Sequence, residues 1–442
     1  MNECTFIILG ATGDLAKRKL IPAIYRLVKD NKITTFAIIG TSRRKLTPAK
    51  ILNNAKPFIK NLNKKAWKKL ENAMHFHQLD FDTHDDYLQL SAHIKNIEQQ
   101  QNLPGNRLFY LATLPQHFDK ITHCMGKAKL NKSRGWNRIV YEKPFGYDLK
   151  SARNMNKCIS RVFNEKQVFR IDHYLGKEIV GNIALVRFTN RVLEPLWNNK
   201  HVESVDIILS ETLGVEGRGD FYDSTGALRD VVQNHMLQLL ALTAMEEPKR
   251  LSGEHIRTEK ANVLKQTTFK KGKLGQYRGY TKEKGVKKNS NTETFARITL
   301  HVNTPRWKNI PFTITTGKKL DKREAIIRLN LKRVKCLLDY CPREPNHIEM
   351  RIQPDLGLAI YLNAKVPNKQ EVTPVKMDFC YECLFANTPE AYEVLLQDVI
   401  KGDQTTFVRN DEIEHAWKII DTIRKKKLPL TTYKPGSKEV TI

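Results

Sequence analysis

The sequence predicts a two-domain α/β plus α+β protein: an N-terminal doubly wound parallel sheet over residues 1–171, then a larger domain, 172–442, built on a mostly antiparallel sheet. Three observations carry this expectation. The 442 residues exceed what one core usually organises, so two or three units of about 150 residues are expected. Up to residue 170, short apolar runs rich in β-formers alternate with helical stretches, the pattern of a parallel sheet between helix layers. Beyond residue 190, alternating strands succeed one another without regular helices between them, which indicates antiparallel pairing.

The first strand is TFIIL, residues 5–9; Gly10 and Gly13 bracket the turn after it. The helix that follows places Leu15, Leu20, Ile24, Leu27 and Val28 at near-helical spacing. Further buried strands are expected at 34–40, 74–81, 107–113 and 137–146. In the second domain SVDIILSET, FARITLHV, FTITTGKKL, AIIRLNLK, HIEMRIQP and LAIYLNAK read as alternating strands. The cationic, glycine-bearing stretch 270–291 reads as a surface loop.

Lys and Arg number 75 against 47 Asp and Glu, a net charge of +28 that biases any partner toward phosphate or another anionic surface. The cations are dispersed and lack interleaved aromatics, so drift of composition toward Lys, Asn and Ile explains them better than a nucleic-acid surface. No run approaches the ~20 apolar residues of a membrane span, and CTFIIL is too short for a signal-peptide core. A cytoplasmic protein with no membrane and no nucleic-acid partner is expected, its seven cysteines being free thiols. Cys336, Cys341, Cys380 and Cys383 do not read as a zinc site. CLLDYC has a four-residue gap, and MDFCYECLF reads as a strand throwing Cys380 and Cys383 to opposite faces. No metal is expected.

Three motifs carry chemistry. In ILGATGDLAKRKL a glycine turn between a buried strand and a helix suits a pyrophosphate, although Ala16 stands where the usual third glycine would be. The second strand ends in GTSRRK, where Arg43 and Arg44 replace the acid that holds an NAD ribose; guanidinium forks bind phosphate, so NADP is preferred. In VYEKPFG, Lys143 lies at the C-terminal edge of the Rossmann-like sheet, where such folds bind ligands. In LRDVVQNHMLQLLAL, His235 interrupts an apolar stripe of Leu228, Val231, Val232, Leu239 and Leu242. A carboxylate across the cleft would orient such a ring and raise its basicity, and Asp172 of RIDHYLGKE is the candidate. The alternative role for Asp172 is to cap a helix beginning near Leu175.

GATGDLAKRKL, NRIVYEKPFG, RIDHYLGKE, EGRGDFYDSTGALRDVVQNH and TGKKL, in this order, resemble the glucose-6-phosphate dehydrogenase family, particularly its bacterial members. SNTETF, PRWKNIPF and FVRNDE extend the resemblance over essentially the whole chain. It implies oxidation of glucose 6-phosphate at C1 with hydride transfer to NADP+, with His235 as the base and Asp172 as its partner. It further implies that His173, Tyr174 and Lys177 grip the substrate phosphate, joined by Lys318 and Arg323. Glu211 and Asp230 would accept hydrogen bonds from sugar hydroxyls, and Lys143 would sit between sugar and nicotinamide. The dinucleotide would lie on Gly10, Ala11, Thr12, Gly13, Asp14 and Leu15, with Arg43 on the 2′-phosphate and Asp80 and Phe81 near the adenosine. A homodimer or homotetramer formed through the antiparallel sheet is implied by the same analogy. Two departures, a shorter loop around 277–291 and an early C-terminal stop, bear on a second, structural NADP site and on the subunit interface. The other readings are a dehydrogenase of another sugar phosphate, and a basic nucleic-acid-binding protein.

Overall fold

A strand between two helix layers must be apolar on both faces, and Cys4–Leu9 (β1) is buried at all six positions. The structure, a computed structural model, describes residues 3–335, 344–385 and 389–438. Phe36–Ser42 (β2), Met74–Gln78 (β3), Arg107–Leu111 (β4), Asn137–Tyr141 (β5) and Val168–Ile171 (β6) pair in parallel around β1, in the order β3-β2-β1-β4-β5-β6. Strand order reverses between β1 and β4, and in such sheets the crevice outside the C-terminal strand ends at that point is where ligands bind.

The second sheet takes Val202–Ser210 (β7), Thr267–Tyr277 (β8), Phe295–Val302 (β9), Pro311–Gly317 (β10), Glu324–Leu331 (β11), His347–Gln353 (β12), Gly357–Lys365 (β13) and Val372–Cys380 (β14). Phe407–Val408 (β15) instead returns to the first sheet, antiparallel to β6, and Leu430–Tyr433 (β16) closes the second. Among the described residues the second sheet runs β14-β13-β12-β11-β7-β10-β9-β8-β16, antiparallel except for β7 with β10 and β8 with β16. One continuous core joins Ile7 and Leu9 of the first sheet to Val205 and Ile207 of the second.

Four local expectations are corrected. Residues 270–277 belong to β8, because alternate positions such as Gly275 and Tyr277 are buried while the lysines stay in solvent. The strand through MDFCYECLF stops at Cys380; a helical turn, Tyr381–Leu384, follows, and Cys380 and Cys383 form a disulfide instead of free thiols on opposite faces. β14 is exposed along almost its whole length, so no burial enforces the alternation, and the Cys380 side chain accepts from Cys383 N. Cys4, Cys124 and Cys158 are free thiols, and Cys336 and Cys341 lie outside the described residues. The helix after β6 starts at Glu178, so Asp172 caps nothing; its carboxylate accepts from Tyr174 N within a tight turn. Finally, the apolar stripe around His235 is a π-helical segment, Leu228–Met236, continuing into an α-helix, Leu237–Ala244, that is buried on every side.

Candidate active site

The first sheet delivers the sequence-predicted residues in one place because each follows the C-terminal end of a parallel strand: Gly10 after β1, Arg43 after β2, Asp80 after β3, Lys143 after β5 and Asp172 after β6. The second sheet adds Glu211 after β7 and Lys318 after β10, whose parallel pairing puts the two ends side by side; Glu211 N donates to Gly317 O at 3.0 Å. Arg323 precedes β11, which runs antiparallel to β7, and so lies at the same end.

His235 is 3% exposed and Asp172 2%, and His235 Nδ1 meets Asp172 Oδ1 at 2.5 Å. Burial disfavours the imidazolium and outweighs the opposing pull of Asp172, holding the pKa of His235 below its ordinary value; Lys143 pushes the same way. Burial opposes the Asp172 charge, but the His235 ring and its hydrogen bond, with His173 and Lys143 nearby, bring that carboxyl down to about 2. A neutral ring with Nδ1–H donated to a carboxylate has its lone pair on Nε2. That atom faces Lys143 Nζ at 2.9 Å, and Lys143 also donates to the Asp230 backbone oxygen at 3.1 Å and lies 3.4 Å from its carboxylate.

Around this pair the cationic residues crowd one another. Tyr174 tilts over His235 with ring centroids 4.4 Å apart, His173 meets the same ring edge-on at 4.7 Å, and Lys177 Nζ stands 4.3 Å over the Tyr174 ring. Burial and the neighbouring His235, Lys143 and Lys177 push His173 down to about 3, so in this arrangement it is a neutral donor. Burial, then repulsion from Arg323, lowers Lys177 to about 8; its ammonium donates to Gln353 Oε1 at 2.7 Å. Lys318 pairs with Glu211 at 2.6 Å over the face of Tyr222. Unrelieved positive repulsion is what a bound dianion would remove.

The dinucleotide turn passes a separate test of fit. Gly10 has φ +93°, and a Cβ there would approach Ala112 O at 2.7 Å, so the chain needs glycine to hold its backbone against the end of β4. Gly10 N and Ala11 N are fixed on Thr41 O, and Gly13 N on Gly10 O, before the helix that starts at residue 14. Two buried hydroxyls beside the turn, Thr41 Oγ1 and Thr113 Oγ1, have no partner among the described residues. Exposed Arg43 shares a cavity of about 470 Å³ with Thr12, Ser42, Arg44, Leu46 and Asn54. These features suit a phosphorylated dinucleotide. Leu15 packs toward the core, and Asp14 is exposed and paired with Lys17 and Arg18 at 2.9 Å each. Asp80 N is held by the Asp86 carboxylate at 2.7 Å, and Phe81 packs on His117 with centroids 5.5 Å apart.

Sequence reasoning missed Glu142. Its carboxylate takes hydrogen bonds from Tyr110 at 2.5 Å and Tyr392 at 3.2 Å, and burial, partly offset by those bonds and by Lys143, raises it to about 6. Adjacency to Lys143 was the available signal, but Tyr392 lies 250 positions away and nothing local announces it. Gln353, which holds Lys177, was missed for the same reason.

Comparison with known proteins shows the family. Residues 7–182 match the family model "Glucose-6-phosphate dehydrogenase, NAD binding domain", and 184–441 match "Glucose-6-phosphate dehydrogenase, C-terminal domain". The chain is 39% identical to a glucose-6-phosphate 1-dehydrogenase of Chlamydia pneumoniae, over 95% of this chain and 88% of the relative. It is 38% identical to that of Bacillus subtilis, over 98% and 94%. A solved glucose-6-phosphate dehydrogenase in complex with its substrate glucose-6-phosphate superposes with a TM-score of 0.94 at 34% identity, covering 99% of this chain and 95% of that one. The Mycobacterium avium enzyme gives 0.88 at 34% identity, over 98% and 94%. With both family domains matched in order along one chain, and the strand ends assembling one cleft, the protein belongs to the glucose-6-phosphate dehydrogenase family.

Proposed function

We propose that this chain oxidises D-glucose 6-phosphate at C1 to 6-phospho-D-glucono-1,5-lactone, with NADP+ as the hydride acceptor, in the cytoplasm. The observation that carries the reading is the buried His235–Asp172 pair at 2.5 Å, whose unprotonated Nε2 meets the cleft lysine Lys143 at 2.9 Å. His235 Nε2 takes the C1 hydroxyl proton while Asp172 holds the ring and stabilises the imidazolium; such base catalysis contributes on the order of 10²–10⁴ in rate. His173, Tyr174, Lys177 and Lys318 hold the substrate phosphate, with Arg323 adding charge beside Lys177. Glu211 and Asp230 accept from the sugar hydroxyls, and Lys143 positions sugar and nicotinamide.

NADP+, when bound, supplies the hydride acceptor. The turn at Gly10, Ala11, Thr12, Gly13, Asp14 and Leu15 would hold its pyrophosphate, Arg43 its 2′-phosphate, and the Asp80–Phe81 turn its adenosine side. A second copy of the chain is proposed to associate through the second sheet, where Leu362, Val375, Met377 and Phe379 stand exposed on β13 and β14; light scattering of the purified protein reads this directly. Among the described residues no helix is long and apolar enough to cross a membrane.

The test is the initial rate of NADPH formation with glucose 6-phosphate beside glucose, another hexose phosphate, and NAD+. The reading requires the first combination to be the fastest; an equal rate with unphosphorylated glucose would remove the phosphate clamp from the account.

A further inference from the structure

Where β3 packs against the helix His84–Gln100, three histidines meet that the proposed reaction does not use. His75 and His77 are two apart on the strand and so share a face. His93, on the helix His84–Gln100, packs against them: its ring lies 5.3 Å from His77 and 6.4 Å, edge-on, from His75. All three are half-buried. His77 Nδ1 and His93 Nδ1 face each other at 3.2 Å. Zinc–imidazole bonds of about 2.0–2.1 Å at a tetrahedral angle put two ligand nitrogens about 3.3 Å apart. The pair therefore already has the spacing of two ligands on one ion.

The surroundings prepare the lone pairs. His77 Nε2 lies 3.3 Å from the Asp86 backbone oxygen, which can only accept, so the proton sits on Nε2 and Nδ1 is bare. This carbonyl–histidine contact is the usual second partner of a metal-bound imidazole. His75 Nε2 is held by the Gln101 side-chain amide at 3.0 Å.

We propose that His77 and His93 chelate a borderline divalent cation, Zn2+, through their facing Nδ1 atoms, with water completing the shell and His75 flanking the site. The ion pins the edge strand β3 to its crossover helix.

Untagged full-length protein is titrated with Zn2+ by calorimetry and with Co2+ as a visible-absorption probe, beside His77→Gln, His93→Gln, His75→Gln and His235→Asn. The expected result is one equivalent of Zn2+ with a tetrahedral Co2+ spectrum, a Kd raised at least ~10-fold in His77→Gln and His93→Gln and less in His75→Gln, and no change in His235→Asn. Metal-free activity of His77→Gln and His93→Gln should match the parent, which shows that they fold. Because Asp172, His173 and His235 also converge, loss of the equivalent only in His235→Asn would put the ion there and overturn the proposal. So would no measurable binding, which would leave a plain Nδ1–H to Nδ1 hydrogen bond between His77 and His93.

Discussion

At the N-terminal end of the parallel sheet, Arg107 and Glu98 are 3% and 7% exposed and meet in two hydrogen bonds of 2.8 and 2.7 Å. Thr5 donates to the same carboxylate, and Lys132 O takes a further guanidinium proton. At the C-terminal end Asp172 and His235 are equally buried, but Asp172 Oδ2 has no partner among the described residues, and beside the pair Lys177 is repelled by Arg323. One end balances its buried charge and fixes the strands. The other leaves charge unbalanced, and the account is completed only by ligands carrying opposite charge.

The sharpest way to separate the two ends is to remove one partner at each. His235→Asn should lower kcat by at least ~10² with the KM for glucose 6-phosphate nearly unchanged, since the proton transfer it removes belongs to the transition state. A near-normal kcat would dismiss His235 as the base. Glu98→Gln should do the reverse: about 3–5 kcal/mol of stability lost in urea unfolding, because Arg107 is left buried without its counter-charge, while kcat of the folded protein holds. If the enzyme keeps its stability, the N-terminal end is not the anchor described here.

Two smaller effects sharpen the comparison within the ligand end. Arg43→Ala should raise the KM for NADP+ by about 10–100-fold, from a charge-assisted bond of about 1.5–3 kcal/mol, and leave that for NAD+ alone. Equal effects on both would shift the preference to Arg44. The last concerns pH. A lysine is charged below its pKa, so kcat/KM for glucose 6-phosphate should fall above pH 8, where free Lys177 loses its proton, by up to about tenfold per unit. Lys177→Arg keeps the charge and should move that limb upward; an unmoved limb would assign the titration to another group.

Much of this was legible in the chain. The strand–glycine–helix opening and the alternation of strands with helices give the first sheet because burial on both faces demands apolar runs, and His235 announces itself as the one ionisable residue in an apolar stripe. What was hidden depends on partners remote in sequence. The four-residue strand β6 has too few positions to show a period, and Lys-rich β8 hides its alternate buried positions behind charge. Glu142 reads as an ordinary strand-end acid until Tyr392 arrives from the far end of the chain. The Cys380–Cys383 disulfide needed the exposed β14 to release its register.

That β15 comes home to the first sheet also sets an order of events during biosynthesis. A ribosome finishes the glycine turn and all six parallel strands long before it makes Phe407, whose ring closes on Phe169 of β6 at 4.8 Å. It must also still make Leu395, Leu396 and Val399, which share a core with Phe6, Ile8 and Leu108. Until then the nascent N-terminal half carries an open strand edge and an uncovered apolar face, the two features that recruit chaperones or seed aggregates. A fragment ending before residue 391 would therefore hold the whole cofactor turn and still be an unfinished sheet; the two halves are consecutive in sequence but mature together.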